Sequence, residues 1–285
     1  MDIQLLKKEK IRRNAMEDLF FFLRNVIGYP DVEEQPHREV CNFITDEPDI
    51  HRWMSMTPTE RANNYLYIQK LCMLARGHLK SSVITVGTPI WMLAHDPTLR
   101  FLIDNEVAKN SRIFLAEIKQ HIESERVKEL LTTPDGNYAL EPDYNRPGGW
   151  TDSTIRLKQN ITKEPTIMTA GVDTAVTGMH FDVIIMDDLV SEKNVTTPEQ
   201  MAKVKEHYEL AYSLLDPGGI LIVVGTRYHL DDLYATLLED DSFDKLVRPA
   251  IDAEGNVYFP KKFSKERLEL LKKTQSKTYY PQYML

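Results

Sequence analysis

The sequence predicts an α/β fold, a mostly parallel central sheet flanked by helices, with an N-terminal helical appendage. From about Tyr65 onward, short apolar runs alternate with longer amphipathic stretches, the pattern of strands joined by crossover helices. Runs such as 182–187 and 220–225 are apolar on both faces, as strands buried in a parallel sheet are. The first 60 residues instead space their apolar side chains three and four apart. The organisation expected is a helical segment over 1–60, a core over 61–255 and a linker over 256–285.

Composition permits such a body. The chain has 285 residues, 42% hydrophobic and 27% charged, and at that length folding buries roughly three quarters of the unfolded surface without disulfide or metal staples. Cys41 and Cys72 sit in no CxxC or Cys/His cluster, which points to a reducing compartment and to no zinc site. The apolar runs fall far short of the roughly 20 residues of a membrane span, and no secretory leader is readable, so the cytoplasm is the default address. The net charge of −8 hides an asymmetry. Residues 261–277 hold seven Lys/Arg against two Glu and residues 1–13 hold five against two acids, leaving an acidic body between basic ends. Such ends either touch phosphates or are solvated helix faces.

In chain order, LLKKEKIRRNAMEDLFFFLRNVIG reads as helix through Leu5, Leu6, Met16, Leu19, Phe20 and Leu23, and HREVCNFI opens another apolar face. Strands are expected over 66–74, 99–103, 153–160, 165–171, 182–187, 220–225 and 244–250, and helices over 82–93, 106–131, 197–215 and 231–239. Thr197-Pro198-Glu199 has the form of a capped helix start. The stretch 132–150 is rich in Pro, Gly, Asn and Asp and reads as a long surface loop. From Asn256 a short strand and a basic helix follow, and the end at YYPQYML reads as a stop at a domain boundary.

In an open parallel sheet, ligands bind beyond the carboxyl ends of the strands, so the residues after each apolar run form the candidate site. After 66–74 comes Ala75-Arg76-Gly77-His78-Leu79-Lys80-Ser81-Ser82, then the helical run VITVGTPIWML. A phosphate-binding loop needs backbone N–H groups at a helix start, a lysine as point charge and a hydroxyl for Mg²⁺. Lys80 and Ser81 supply the last two. The GxxxxGK[ST] spacing fails at Leu74 and Leu79, where glycines usually stand.

The run 182–187 delivers the adjacent carboxylates Asp187 and Asp188 to a strand end. Adjacent carboxylates repel, so a cation or a water to be activated explains both: Asp187 on hydrated Mg²⁺, Asp188 orienting or deprotonating the attacking water. The run 220–224 leads into Gly225-Thr226-Arg227, where Thr226 could sense a terminal phosphate. Singly, these have plainer explanations: a lysine opening a crossover helix, an aspartate pair capping a loop. Together and in this order they specify an ATP- and Mg²⁺-dependent P-loop NTPase of the ASCE type, which has an extra strand between the loop strand and the acidic strand.

With these pieces assembled, the chain resembles the large terminase subunit of tailed double-stranded DNA phages, the motor that packages the genome. ARGHLKSS looks like that family's deviant phosphate loop, TGMHFDVIIMDDLVSEKN like its acidic strand, ILIVVGTRYHLDDLYATLL like its coupling motif and FPKKFSKERLELLKK like the linker before a second domain. The resemblance spans about residues 35–285. It implies ATP phosphates cradled by Arg76, Gly77, His78, Leu79, Lys80, Ser81 and Ser82, Mg²⁺ on Ser81 and Asp187, Asp188 as catalytic carboxylate, Arg76 sensing the γ-phosphate and Thr226 in coupling. It also implies work in the host cytoplasm at the procapsid portal. The partners implied are double-stranded DNA, the portal protein, the small terminase subunit and further copies in a homo-oligomeric ring, with no membrane.

The chain departs from the family pattern in two respects. Asp188 stands where the family commonly has Glu, and Met179 and His180 stand where many members carry an arginine that reaches a neighbouring subunit. Arg112, Arg156 and Arg227 are the remaining candidates for that role. Gln35-Pro36-His37-Arg38-Glu39 falls where the family often contacts adenine. The family's C-terminal nuclease has no counterpart before Leu285, so ATPase without nuclease activity is expected. The other readings are a helicase-like nucleic-acid remodelling ATPase, or a non-catalytic docking module with a degenerate loop.

Overall fold

Seven strands form one sheet in the computed structural model of the chain: β1 (Ile68–Leu74), β2 (Phe101–Asn105), β3 (Thr154–Ile155), β4 (Ile167–Gly171), β5 (Phe181–Asp187), β6 (Leu215–Gly225) and β7 (Asp244–Arg248). The structure describes residues 3–45, 49–64, 67–133, 135–174, 176, 178–276 and 278–285. Leu66 of the first expected strand, Pro134 of the expected loop, Thr177 of the lead-in to the acidic strand and Lys277 of the basic run lie outside the described residues, as does the side chain of Leu5.

The spatial order is β3-β4-β2-β5-β6-β1-β7, and every neighbouring pair except β3 with β4 is parallel. β6 lies between β1 and β5, as the extra strand expected from the sequence would. The register is flush at the carboxyl edge. Cys72 stands opposite Val224, Val224 opposite Asp187, Asp187 opposite Asn105, and Asn105 opposite Gly171. Whatever follows these positions is therefore delivered to one rim.

Alternation along the strands builds two apolar layers. On one face Val183, Ile185, Ile222 and Val224 pack with α1 (Ile3–Glu17), α2 (Leu19–Phe22), α3 (Glu34–Ile44), α6 (Thr88–His95), α7 (Ala108–Glu123) and α8 (Glu125–Leu131). Between α2 and α3 the chain turns, and α4 (Asp49–Ser55) and α5 (Pro58–Asn63) lead into β1. On the other face Ile184, Met186, Leu221 and Val223 meet α9 (Pro198–Tyr212) and α10 (Leu233–Glu239). A third cluster, Ala75, Ala250, Phe259, Phe263, Leu268, Tyr279 and Tyr283, joins the end of β1 to the segment around α11 (Lys265–Thr274). Among the described residues no helix is long and apolar enough to cross a membrane.

β6 begins at Leu215, five residues earlier than expected and at the end of the stretch expected as helix, and three further elements differ for a local reason. The single helix expected over 106–131 is two, because Ser124 is extended (φ −68°, ψ 139°) and its hydroxyl accepts the Val127 N–H at 3.3 Å, capping α8. The strand expected over 153–160 shrinks to Thr154–Ile155. Beyond it the chain pairs with loop rather than strand, Asp143 N–H donating to the Arg156 carbonyl and Lys158 N–H to the Glu141 carbonyl (both 2.9 Å), and it turns where Asn160 N–H donates to the Leu157 carbonyl (3.1 Å). The carbonyls that follow are held by Arg146, on Asn160 and Thr162 (both 2.7 Å), and by Arg156, on Thr162 (3.1 Å), Lys163 and Glu164 (2.8 Å). The short strand after Asn256 reduces to one bridge, Ile251 with Val257.

At the end of β6, Gly225 lies under the buried ring of Tyr234, and a Cβ there would stand 2.1 Å from the ring's Cζ. Gly225→Ala is expected to lower stability by about 1–3 kcal/mol in urea denaturation. Because the clash is with Tyr234, the double variant with Tyr234→Leu should lose less than the sum of the two single losses; full additivity would show that the ring does not set the requirement.

Candidate functional site

The loop after β1 is anchored at both ends. Ala75 N–H donates to the Arg248 carbonyl (3.3 Å) and Arg76 N–H to the Gln282 carbonyl (2.7 Å), so β7 and the C-terminal segment fix its start. Its far end becomes helix at once: Val83 N–H donates to Leu79 (3.0 Å), and wide π-type turns over Ser81–Gly87 run on into α6. The first-turn N–H groups of that helix point back at the loop, as an anion site requires. Gly77 is left-handed (φ 80°), and so is Leu79 (φ 57°). The left-handed conformation costs a non-glycine residue about 1–2 kcal/mol. Leucine thus stands where glycine is usual yet adopts a backbone conformation that favours glycine, while its side chain packs against the core. Leu74, at the other missing glycine, is the buried last residue of β1.

The rim opposite is acidic. Asp187 ends β5 fully buried, and its Oδ2 accepts the hydroxyl of Thr85 at 2.5 Å. Ser81 also bonds this carboxyl, and Asn105 Nδ2 donates to the Asp187 backbone carbonyl (2.6 Å). Burial, reinforced by the Asp188 charge, pushes the Asp187 carboxyl up to about 6 against the pull of Lys80. Asp188 follows in a left-handed turn (φ 51°), its N–H on the Val224 carbonyl (2.8 Å) and its Oδ2 accepting Lys80 Nζ at 3.0 Å. Lys80 is buried, which by itself disfavours its charge, yet Asp188 and Asp187 outweigh that and hold its pKa above the ordinary lysine range.

Asp187 Oδ1 and Asp188 Oδ1 are shielded from solvent and have no hydrogen-bond partner among the described residues. Buried carboxylate oxygens left in that state are costly. A hard divalent cation would satisfy them, with Ser81 supplying a further oxygen; Mg²⁺ usually takes only one or two protein carboxylates and fills the rest of its shell with water and phosphate. The donor set fits such an ion, and no larger cluster of His, Cys, Asp and Glu occurs among the described residues.

A cleft of about 550 Å³ opens beside these groups, lined by Arg76, Asp188, Asn105, Glu106, Ser191 and Tyr228 among others. Lys80, Ser81, Asp187 and Asp188 are thus brought together, and Arg76 is exposed on the same cleft. Ser82 follows half-buried on the first turn. Thr226 is buried and turns its hydroxyl to the Leu74 carbonyl (3.4 Å), bracing β6 against β1. Arg156 is spent on backbone carbonyls, which removes it from the candidates for reaching another subunit. Arg112 is half-exposed and pairs with Asp152 (3.2 Å), and Arg227 donates to the Leu230 carbonyl (2.9 Å). The segment Gln35–Glu39 is tied inward: Arg38 to Asp18 (2.6 Å), Glu39 to Arg248 (2.5 Å) and Tyr258 (2.7 Å). Sequence reading missed Thr85, Asn105 and Glu106. Thr85 was discoverable as the hydroxyl one helical turn after Ser81, whereas Asn105 and Glu106 show their relevance only through the β2–β5 register.

No protein-family model matches the chain, and no curated protein matches it. Among solved structures, it is similar to the ATPase domain of the large terminase of Thermus phage P74-26, crystallised as an arginine-to-alanine mutant. The match has 12% sequence identity, covers 84% of this chain and 97% of that one, and has a TM-score of 0.45.

His78 points away from the cleft. Its ring is buried and stacked on Phe263 (5.0 Å) and Tyr258 (5.9 Å), with Nδ1 3.2 Å from the Arg76 carbonyl. Burial pulls its pKa from an ordinary 6.5 down to about 4, helped by Lys262 and Lys80 and opposed by hydrogen bonds to the Arg76 and Ala75 backbone. The unfolded chain therefore binds a proton between pH 6.5 and 4 that the folded chain refuses, so this contribution is intact above 6.5 and lost as pH falls toward 4. Between pH 7 and 5 the native chain should lose about 2 kcal/mol more stability than His78→Phe, which keeps a ring in the stack but cannot titrate. Parallel pH profiles in denaturant melts would refute this.

Proposed function

We propose that this chain is an ATP-hydrolysing motor domain of the large-terminase kind, which drives double-stranded DNA into a procapsid in company with a portal protein, a small terminase subunit and further copies of itself in a ring. The observation that carries the catalytic part is the meeting of Lys80, Ser81, Asp187 and Asp188 at one rim, with β6 between the strands that deliver them. Phosphoryl transfer asks the protein for positioning and charge neutralisation rather than covalent chemistry. Lys80 supplies a point charge for the terminal phosphates, and the loop's N–H groups cradle their oxygens. Ser81 and Asp187 would hold Mg²⁺, which when bound neutralises developing phosphate charge. Asp188 orients the attacking water and, through its ion pair, keeps Lys80 charged and extended before nucleotide arrives. Arg76, exposed on the cleft, is placed to read the γ-phosphate, and Thr226, braced between β1 and β6, to pass its presence into the sheet. A strained Leu79 supports a working loop over a vestigial one, because strain of this kind persists where geometry is required.

Phosphate release should fall about 100-fold or more in Lys80→Ala and in Asp187→Ala; equal rates in both variants and the native chain would remove the enzymatic reading. DNA contact is assigned to the basic face of α11. Neutralising Lys272 and Lys273 to Gln should reduce the salt slope of double-stranded DNA binding by roughly one unit per contact, and an unchanged slope would return both side chains to solvent.

A further inference from the structure

Glu106 belongs to no motif, yet the β2–β5 register brings it to the reacting rim. Asn105 stands directly opposite Asp187, so the next residues along the two parallel strands, Glu106 and Asp188, leave the sheet side by side. Glu106 N–H lies 3.4 Å from the Asp188 carbonyl, and both side chains line the cleft that Arg76 enters. The two carboxylates differ in what occupies them. Asp188 Oδ2 is engaged by the Lys80 ammonium at 3.0 Å, which leaves that oxygen occupied rather than open to a water. Glu106 has no cation within ion-pair distance among the described residues; its Oε1 accepts the Ser191 hydroxyl at 2.5 Å, a bond that orients the carboxylate without neutralising it. It is half-buried, and its chain is one methylene longer than that of Asp188.

We infer that Glu106, not Asp188, is the general base of the hydrolysis proposed above, an inference that rests on that reading. In the step assigned to it, a Glu106 carboxylate oxygen takes a proton from water as the water oxygen bonds to the γ-phosphorus. The bond from that phosphorus to the β,γ-bridging oxygen breaks, its electron pair leaves with ADP, and the proton later passes from Glu106 to phosphate or solvent. Asp188 keeps Lys80 in place and orients the water. Ser191 is a positioning residue for Glu106.

The test compares the native chain with Glu106→Gln, Ser191→Ala and Asp188→Asn in single-turnover hydrolysis, in affinity for a fluorescent ATP analogue with Mg²⁺, and in the identity of nucleotide recovered from the protein. Glutamine keeps a hydrogen-bond partner for Ser191 but cannot accept the proton. Glu106→Gln is therefore expected to bind the analogue within about threefold of the native chain, to hydrolyse at least 100-fold more slowly and to return its nucleotide as ATP. These fold-changes are in the range of losing a positioned acid–base group. Ser191→Ala should slow hydrolysis by less than tenfold, whereas a mere structural latch would make the serine change the more damaging of the two. Glu106→Gln turning over within threefold of the native chain, or returning only ADP, overturns the inference and leaves the proposed function standing. Native chain that releases no phosphate removes both.

Discussion

The ammonium of Lys80 lies 3.0 Å from Asp188 at the carboxyl edge of the sheet, with the buried carboxyl of Asp187 beside them. Two negative charges and one positive in so little water leave a net deficit of positive charge. That deficit is what the surroundings are organised around. It adds to the burial that raises the Asp187 carboxyl, keeps Lys80 protonated despite burial, and draws in the hydroxyls of Thr85 and Ser81 as hydrogen-bond donors. It also leaves two carboxylate oxygens without partners among the described residues, a state that a divalent cation would relieve.

Keeping these groups in place requires rigidity on both sides of the loop, and the sheet supplies only one. The other comes from the last thirty or so residues. His78 is clamped between Phe263 and Tyr258, Arg76 N–H is tied to Gln282, and the Ala250 N–H to Tyr283 (2.7 Å). A short loop with two left-handed residues is thus wedged between β1 and an aromatic layer. The aromatic layer and the loop therefore hold one another in place.

Much of the fold was legible because its strands are read from local pattern. The runs at 182–187 and 220–225 are short and apolar on both faces, the pattern of buried parallel strands. Where loop backbone from elsewhere replaced strand pairing the pattern misled: Glu141 and Asp143 pair with Lys158 and Arg156 in the stretch expected as a strand over 153–160. The break in 106–131 turns on whether Ser124 caps or continues, a choice that its own side chain makes in the folded chain. The site was legible in part for a similar reason. Lys80, Ser81, Asp187 and Asp188 carry chemistry in their own types and neighbours, whereas Glu106 is one acid among many until a strand register sets it beside Asp188.

By itself, then, the order of residues determined an α/β body, a Lys-Ser pair opening a helix after the first strand and twin acids at a strand end, because each depends on periodicity or on adjacent residues. Tertiary structure decided that β6 inserts between β1 and β5, that Leu79 takes the glycine conformation, that His78 faces the C-terminal aromatics and that Glu106 shares the cleft. These are contacts between segments distant in the chain. Their geometry is set by how layers pack and how strands align, and no local window of the sequence contains it.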